Sequence, residues 1–506
     1  MRKINYILFT AALLICSACD MNKMPEGSLS GDIVFTMQDC RSYHIGLYGT
    51  FRALTTGGFV TYGEIQTDNF HAVSEYTGEL NVLYTGDITP GAESVTTIWA
   101  GNYETIGQAN YYIKKLDELI ASGTITASEN LELKRYMAEA FFTRAYCYFD
   151  LTQKFCQRYD PGTASQDHSG LPLVTKYNPS SDNTQYPDRM TLEETYKLIL
   201  NDLSQSLEEM TAFDEKNPDA NPSGALTPWI TTDVVKALQA RVALVMGDYE
   251  TALKKSEGII NSSRYNLTNN ETNLYNFWSV DYGAYETLWL VTMTRDYTGY
   301  STGSPFLANT GAVISFIPTN DVATLYSDKD IRAKAYLGSR AIRVSAGSET
   351  VSALTKYPGN PYLYYNINTF CNMSKPFRIA EQYLIAAESA AKQDLTSKSN
   401  LYLNELKKNR ITGYESKQLA GDNLMKEIKA ERRRELLCEG FRLSDLKRWH
   451  EGFERSEGQK TGTVINKLGN VHRLKYDADD YRLVWPIPQE EIDANPQIKS
   501  QQNPGY

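Results

Sequence analysis

The chain has few of the residues from which metal sites and disulfide frameworks are built. Five histidines and seven cysteines occur in 506 residues, the histidines are scattered, and none of the five cysteines beyond residue 19 forms a CxxC pair. Metal-ligand spacing is therefore missing, and no metal or cofactor is expected. Positive charge is not in excess either. A formal net charge of -10 argues against a polyanion such as nucleic acid as the main partner. Beyond the N-terminus no apolar run is long enough to demand a membrane span, and helix-pair patterns do not recur at a regular period. What the chain does have is tyrosine, 35 residues of it, a flat amphipathic side chain suited to interfaces and to stacking on sugars or bases.

Arg2 and Lys3 precede an apolar stretch from Tyr6 to Ile15, too short to cross a bilayer and the right size for a secretory signal. Ser17, Ala18 and Cys19 follow and resemble a bacterial lipobox, although Cys16 stands where leucine is usual. Residues 1–18 are read as a signal peptide and Cys19 as the lipidated first residue of the mature chain. Loss of Arg2 and Lys3 takes the charge from -10 to -12. The five cysteines left, Cys40, Cys147, Cys156, Cys371 and Cys438, are odd in number, which argues against a disulfide framework. Cys147 and Cys438 sit among apolar helical residues and read as core fillers; Cys156, near a helix end, is the one placed for exposure.

Residues 19–40 read as anchor and tether, and 41–506 as one domain, with a helical part at 41–260 and a loop-rich part plus C-terminal helices at 261–506. Apolar spacing predicts helices over Cys40–Leu54, Ile98–Ile120 and Leu131–Phe155. Thr191 opens another, with Glu194 as its capping-box partner. Thr232 to Ile260 reads as two helices broken at Gly247 and Asp248, and Arg378–Ala391 with Lys398–Asn409 as a second pair. Thr55 to Val95 and Asn261 to Pro376 lack helical period and read as long loops, Thr287 to Thr292 excepted as a short strand. The proline-containing end after Trp485 reads as an extended tail.

Several of these stretches together resemble the SusD/RagB family of nutrient-binding outer-membrane lipoproteins. They are Cys19, WAGNYETIGQAN from Trp99, AEAFFTRAYCYFDL from Ala138, ARVALVMGDYETAL from Ala240, RIAEQYLIAAESA from Arg378, ERRREL and EGFRLSDLKRW from Glu431 and Glu439, and the PIPQEEI and QNPGY endings. The resemblance implies a mainly α fold, with degenerate tetratricopeptide-type helix pairs as scaffold and long irregular loops forming a ligand face. It further implies a lipid-anchored protein at the outer surface of the outer membrane, held through Cys19. Such a protein would capture an oligosaccharide without covalent chemistry and pass it to a SusC-like TonB-dependent barrel. A peptide or other nutrient is an alternative cargo, and a surface glycoside hydrolase a rival class.

The stretch Ala430–Trp449 carries the carboxylate pairs that a hydrolase would need, Glu431 with Glu435 and Glu439 with Asp445. Arginines and a lysine surround them, which keeps carboxylates ionised rather than fit for acid work, so an ion network is expected and no catalytic residue. A sugar site should combine aromatic faces with polar side chains on loops. Two groups qualify: Asp68, Asn69, His71, Tyr76 and Tyr84, then Trp278, Tyr282, Arg295, Tyr297 and Tyr300.

Overall fold

The computed structural model describes residues 34–506 except 75, 77, 221–227, 283–284, 310–312, 345–346 and 466–472. The leader and Cys19 lie outside the described residues. The fold is mainly α. Helices α1 (Met37–Leu54), α2 (Gly58–Gln66), α3 (Glu93–Ala121), α4 (Ala127–Phe155), α5 (Leu192–Lys216), α6 (Thr232–Met246) and α7 (Tyr249–Ile260) build the first half. The second contains α8 (Glu271–Ser279), α9 (Ile379–Lys392), α10 (Thr396–Lys408), α11 (Gly421–Glu435), α12 (Arg442–Trp449) and α13 (Gln489–Ala494). Strands β1 (Phe70–Ala72), β2 (Thr287–Val291), β3 (Phe316–Pro318), β4 (Leu337–Val344), β5 (Gly347–Leu354), β6 (Ser374–Arg378), β7 (Phe453–Glu454) and β8 (Lys475–Tyr476) pair antiparallel as β1–β3, β2–β6, β4–β5 and β7–β8.

Local chemistry explains the helix ends. Thr36 with Asp39, Thr126 with Glu129 and Thr191 with Glu194 each form a reciprocal capping box, satisfying amides that have no partner inside the helix. Between α6 and α7, Gly247 takes φ +77° and Asp248 accepts from the Thr251 amide. Glycine adopts that left-handed turn without the clash a Cβ would bring.

Buried charge pairs lock the helices in register. Arg144 of α4 grips Asp202 of α5 through two 2.7 Å bonds and donates to Asn110 of α3 at 2.8 Å. Arg241 of α6 holds Glu381 of α9 in the same forked manner, both bonds 2.7 Å. Planar guanidinium forks fix geometry as well as charge. At the centre, Trp289 on β2 is fully buried, with the Phe51 and Phe142 rings 4.7 and 6.1 Å from it, centre to centre.

Four expectations need correction. The region after Thr55 is not all loop: α2 forms although its sequence, GFVTYGEIQ, is rich in glycine and β-branched or aromatic residues and has no side-chain cap. Tertiary packing of Phe59 and Ile65 into the main core outweighs weak propensity there. Asn261 to Pro376 contains α8, capped by Asn270, and the β4–β5 hairpin. The tail holds one short helix, α13, after Pro488, and it docks rather than trailing free: Asn503 donates to the Phe155 and Trp485 carbonyls at 2.8 and 2.6 Å. Cys156 is buried, like Cys147 and Cys438, and its burial pushes the thiol up to about 11.

Candidate functional site

The bracket formed by α11, the turn after it and α12 organises the second half of the chain. Glu435, fully buried, accepts from Arg332, Arg378 and Arg410 at 2.9 to 3.0 Å. Glu431 accepts from Arg332 at 2.7 Å, Glu439 from Arg378 and Lys356 at 2.7 and 2.6 Å, and Asp445 from Arg432 at 2.7 Å. Burial opposes the ionisation of Glu431 and Glu435, but the guanidinium field outweighs it and holds Glu431 at about 2 and Glu435 well below the ordinary carboxylate value. A general acid needs the opposite shift. The expected ion network is therefore present, with one difference: most partners come from distant elements rather than from the neighbouring ERRR run. Helix α11 ends at Glu435 and α12 begins at Arg442, with Gly440 in the break at φ +86°. Trp449 is half-buried, its Nε1 donating to Glu388 at 2.8 Å.

Two of the first group of site candidates, Asp68 and Asn69, belong to this bracket. Asp68 receives Arg442 through bonds of 2.8 and 2.7 Å; burial opposes its charge, but Arg433 and Arg442 hold the carboxyl far below its usual range. Asn69 donates to Glu64 and accepts from Arg433 at 2.8 and 2.9 Å. His71 contacts the Ser456 carbonyl at 2.7 Å and Tyr84 Oη at 3.2 Å. Tyr84 is buried under Arg455, and Tyr76 is half-buried on Phe316. All but Tyr76 are internal, and their polar atoms meet internal partners, so as the protein stands they present no open edge to a ligand.

The second group divides. Trp278 is buried in a box of cations: Lys356 and Lys375 lie 4.2 and 5.2 Å from the centre of one of its rings, and Arg378 5.3 Å. Tyr282, Tyr297 and Tyr300 are exposed by 72%, 67% and 54%, and Arg295 is exposed beside them. The turn that displays Arg295, Tyr297 and Tyr300 is tight. Thr294 and Tyr297 exchange backbone bonds of 3.2 and 3.1 Å, which puts Arg295 and Asp296 at the tip. The Gly299 position abuts the Arg52 carbonyl so closely that a Cβ there would lie 2.0 Å from it, and the Tyr300 amide donates to Thr56 Oγ1 at 2.9 Å.

Sequence reading missed three residues of this face: Arg52, on the last turn of α1, and Tyr362 and Tyr365, both about 70% exposed. Arg52 lies 5.9 Å from the Tyr297 ring centre, Arg295 4.9 Å from that of Tyr365, and Tyr365 Oη donates to Asp296 at 3.1 Å. Met293, Leu363 and Cys371 pack together beneath and hold the two loops side by side. The result is an open shelf of tyrosines edged by Arg52, Arg295 and Asp296. Behind it, lined in part by Thr56, Thr302, Trp278, Tyr357 and Phe441, is a cavity of about 120 Å³. That space holds several waters but is well below the ~300 Å³ at which ligand pockets begin.

Among the described residues no group of histidine, cysteine and carboxylate side chains is arranged to hold a metal, and no helix is long and apolar enough to cross a membrane.

Comparison with known proteins agrees with the architecture. Residues 250–506 match the family model described as the SusD family, and residues 51–225 match one described as starch-binding, associating with outer membrane. SusD-like protein P2 of Formosa agariphila is 24% identical over 552 aligned positions, covering 100% of this chain and 99% of that protein. A SusD superfamily protein of Bacteroides thetaiotaomicron has a solved structure that superposes with a TM-score of 0.77 at 27% identity, over 93% of this chain and 100% of its own. Surface glycan-binding protein A of Bacteroides fluxus superposes at 0.67 with 18% identity, over 93% and 100%. The SusD family model alone spans just over half of the sequence, and the chain belongs to that family.

Proposed function

We propose that this protein binds an oligosaccharide at the cell surface and delivers it to a SusC-like TonB-dependent barrel in the outer membrane, anchored there through lipidated Cys19. The observation that carries the reading is the shelf: Tyr282, Tyr297, Tyr300, Tyr362 and Tyr365 are all more than half exposed in a fold that buries most other large aromatics. Exposed ring faces held on packed loops match the C–H faces of pyranoses, and the adjoining Arg and Asp groups match sugar hydroxyls. Family membership and the outer-membrane description of the matched N-terminal model support the setting.

This reading is of binding rather than catalysis, and it is supported by the carboxylate pairs of the bracket, which are held in ion pairs. Calorimetry on the detergent-solubilised protein, against a panel of host and plant glycans, tests the ligand class; absence of heat across the panel from folded protein would refute it. Replacing Cys19 by Ala should move the protein out of the membrane fraction, and cells lacking the protein should lose uptake of whichever glycan it binds.

A further inference from the structure

The tyrosine shelf also carries charge, and that charge points to a class of ligand; this step rests on the glycan-binding reading above. Arg52 donates Nε to the Thr292 carbonyl at 3.0 Å and lays its guanidinium toward the Tyr297 ring; Arg295 does the same toward Tyr365. Among the described residues neither guanidinium is paired with a carboxylate, whereas Arg144, Arg241, Arg332, Arg378 and Arg410 all are. The one acid at the turn, Asp296, accepts from Tyr365 Oη. A solvated surface arginine needs no partner, but such a side chain is normally free to wander. Here two are laid on the rings of the same shelf, one of them also tied to backbone.

A guanidinium resting on an aromatic ring keeps its N–H edge available, and that edge matches the two oxygens of a carboxylate or sulfate in a forked bond. The negative charge of the whole protein does not cancel this, because at physiological salt distant charges are screened beyond about 8 Å. We infer that the shelf takes an anionic oligosaccharide, its rings stacked on the tyrosines and its sugar-borne carboxylates or sulfate esters paired with Arg52 and Arg295.

The test uses the detergent-solubilised protein and a glycan array with three arms: uronate-containing oligosaccharides such as oligogalacturonate, sulfated oligosaccharides without uronate such as those from carrageenan, and neutral ones. Binding is expected in an anionic arm, and which arm responds separates carboxylate from sulfate recognition. Affinity for the ligand found should fall as salt is raised and should drop about tenfold in Arg52→Gln and in Arg295→Gln; a uronate ligand should also be lost after carboxyl reduction. Binding confined to neutral glycans, or unchanged in both variants, would overturn the anionic assignment while leaving glycan binding standing. Binding in no arm, by protein with an unaltered circular dichroism spectrum, would overturn both.

Discussion

Asn360 donates from Nδ2 to Asp281 Oδ2 at 2.7 Å, in the interior, joining loops 79 residues apart in sequence. The same carboxylate accepts from Lys375 Nζ at 2.6 Å and from the Met373 amide at 3.0 Å. Tyr282 follows Asp281 directly, and Asn360 in turn accepts from the Tyr362 amide at 3.0 Å. One buried acid thus fixes the roots of two shelf tyrosines. Asp281→Ala leaves Lys375 buried without its carboxylate and should destabilise the protein by about 3–5 kcal/mol. Asp281→Asn, which keeps an acceptor, should lose less. Urea unfolding measures both, and an Asp281→Asn variant as stable as wild type would contradict the charge argument.

The second prediction concerns acid. Glu431 and Glu435 are held below their ordinary value of 4.5, so they stabilise the fold above that pH, and the contribution is lost as pH falls from 4.5 toward about 2. Glu435→Gln should cost about 3–5 kcal/mol at neutral pH, because three guanidiniums lose their shared counter-charge. It should also flatten the acid limb of the stability profile. Glu431→Gln serves as the milder variant if the first does not fold. Parallel acid limbs in variant and wild type would refute the assignment.

The third runs the other way. Lys447 is buried with only the Gln153 and Cys156 carbonyls on its Nζ, both at 2.7 Å. Burial, with Lys154 also nearby, pulls it down to about 7 from 10.5. Above pH 7 the unfolded chain binds more protons at this site than the folded one, so stability rises with pH, by at most about 1.4 kcal/mol per pH unit. The window is clearest between pH 7 and 9, below the ordinary 9.0 of Cys156, whose raised value acts oppositely above it. Lys447→Met should lower that rise, leaving the part that Lys356, pulled by burial down to about 8, adds with the same sign. An unchanged slope in urea melts would show that Lys447 does not titrate there.

The parts of the fold written in local chemistry were legible. Thr191 with Glu194, the Gly247–Asp248 break and the apolar stripe of α4 depend on residues a few positions apart. What sequence reading missed depends on residues far apart. Trp278 has the composition of a ligand platform, and only the arrival of Lys356 and Arg378 from the C-terminal half makes it core. Asp68 likewise reads as a loop acid until Arg442 closes on it from 374 residues away. Arg52 gave no signal at all, being one more cation at a helix C-terminus; its place on the shelf follows from packing of Gly299 against its backbone. Tyr362 and Tyr365 lie in a stretch without periodicity, where exposure has no sequence signature.

Glycan binding on the tyrosine shelf is the central claim, and the most direct test is calorimetric titration of the best-bound glycan into wild type, Tyr297→Ala and Tyr365→Ala. Both side chains are about two-thirds exposed, so their removal should leave the unfolding midpoint unchanged. Each substitution should weaken binding about five- to tenfold, the share expected of one stacked ring. Affinity unchanged in both variants would place the ligand elsewhere and contradict the account.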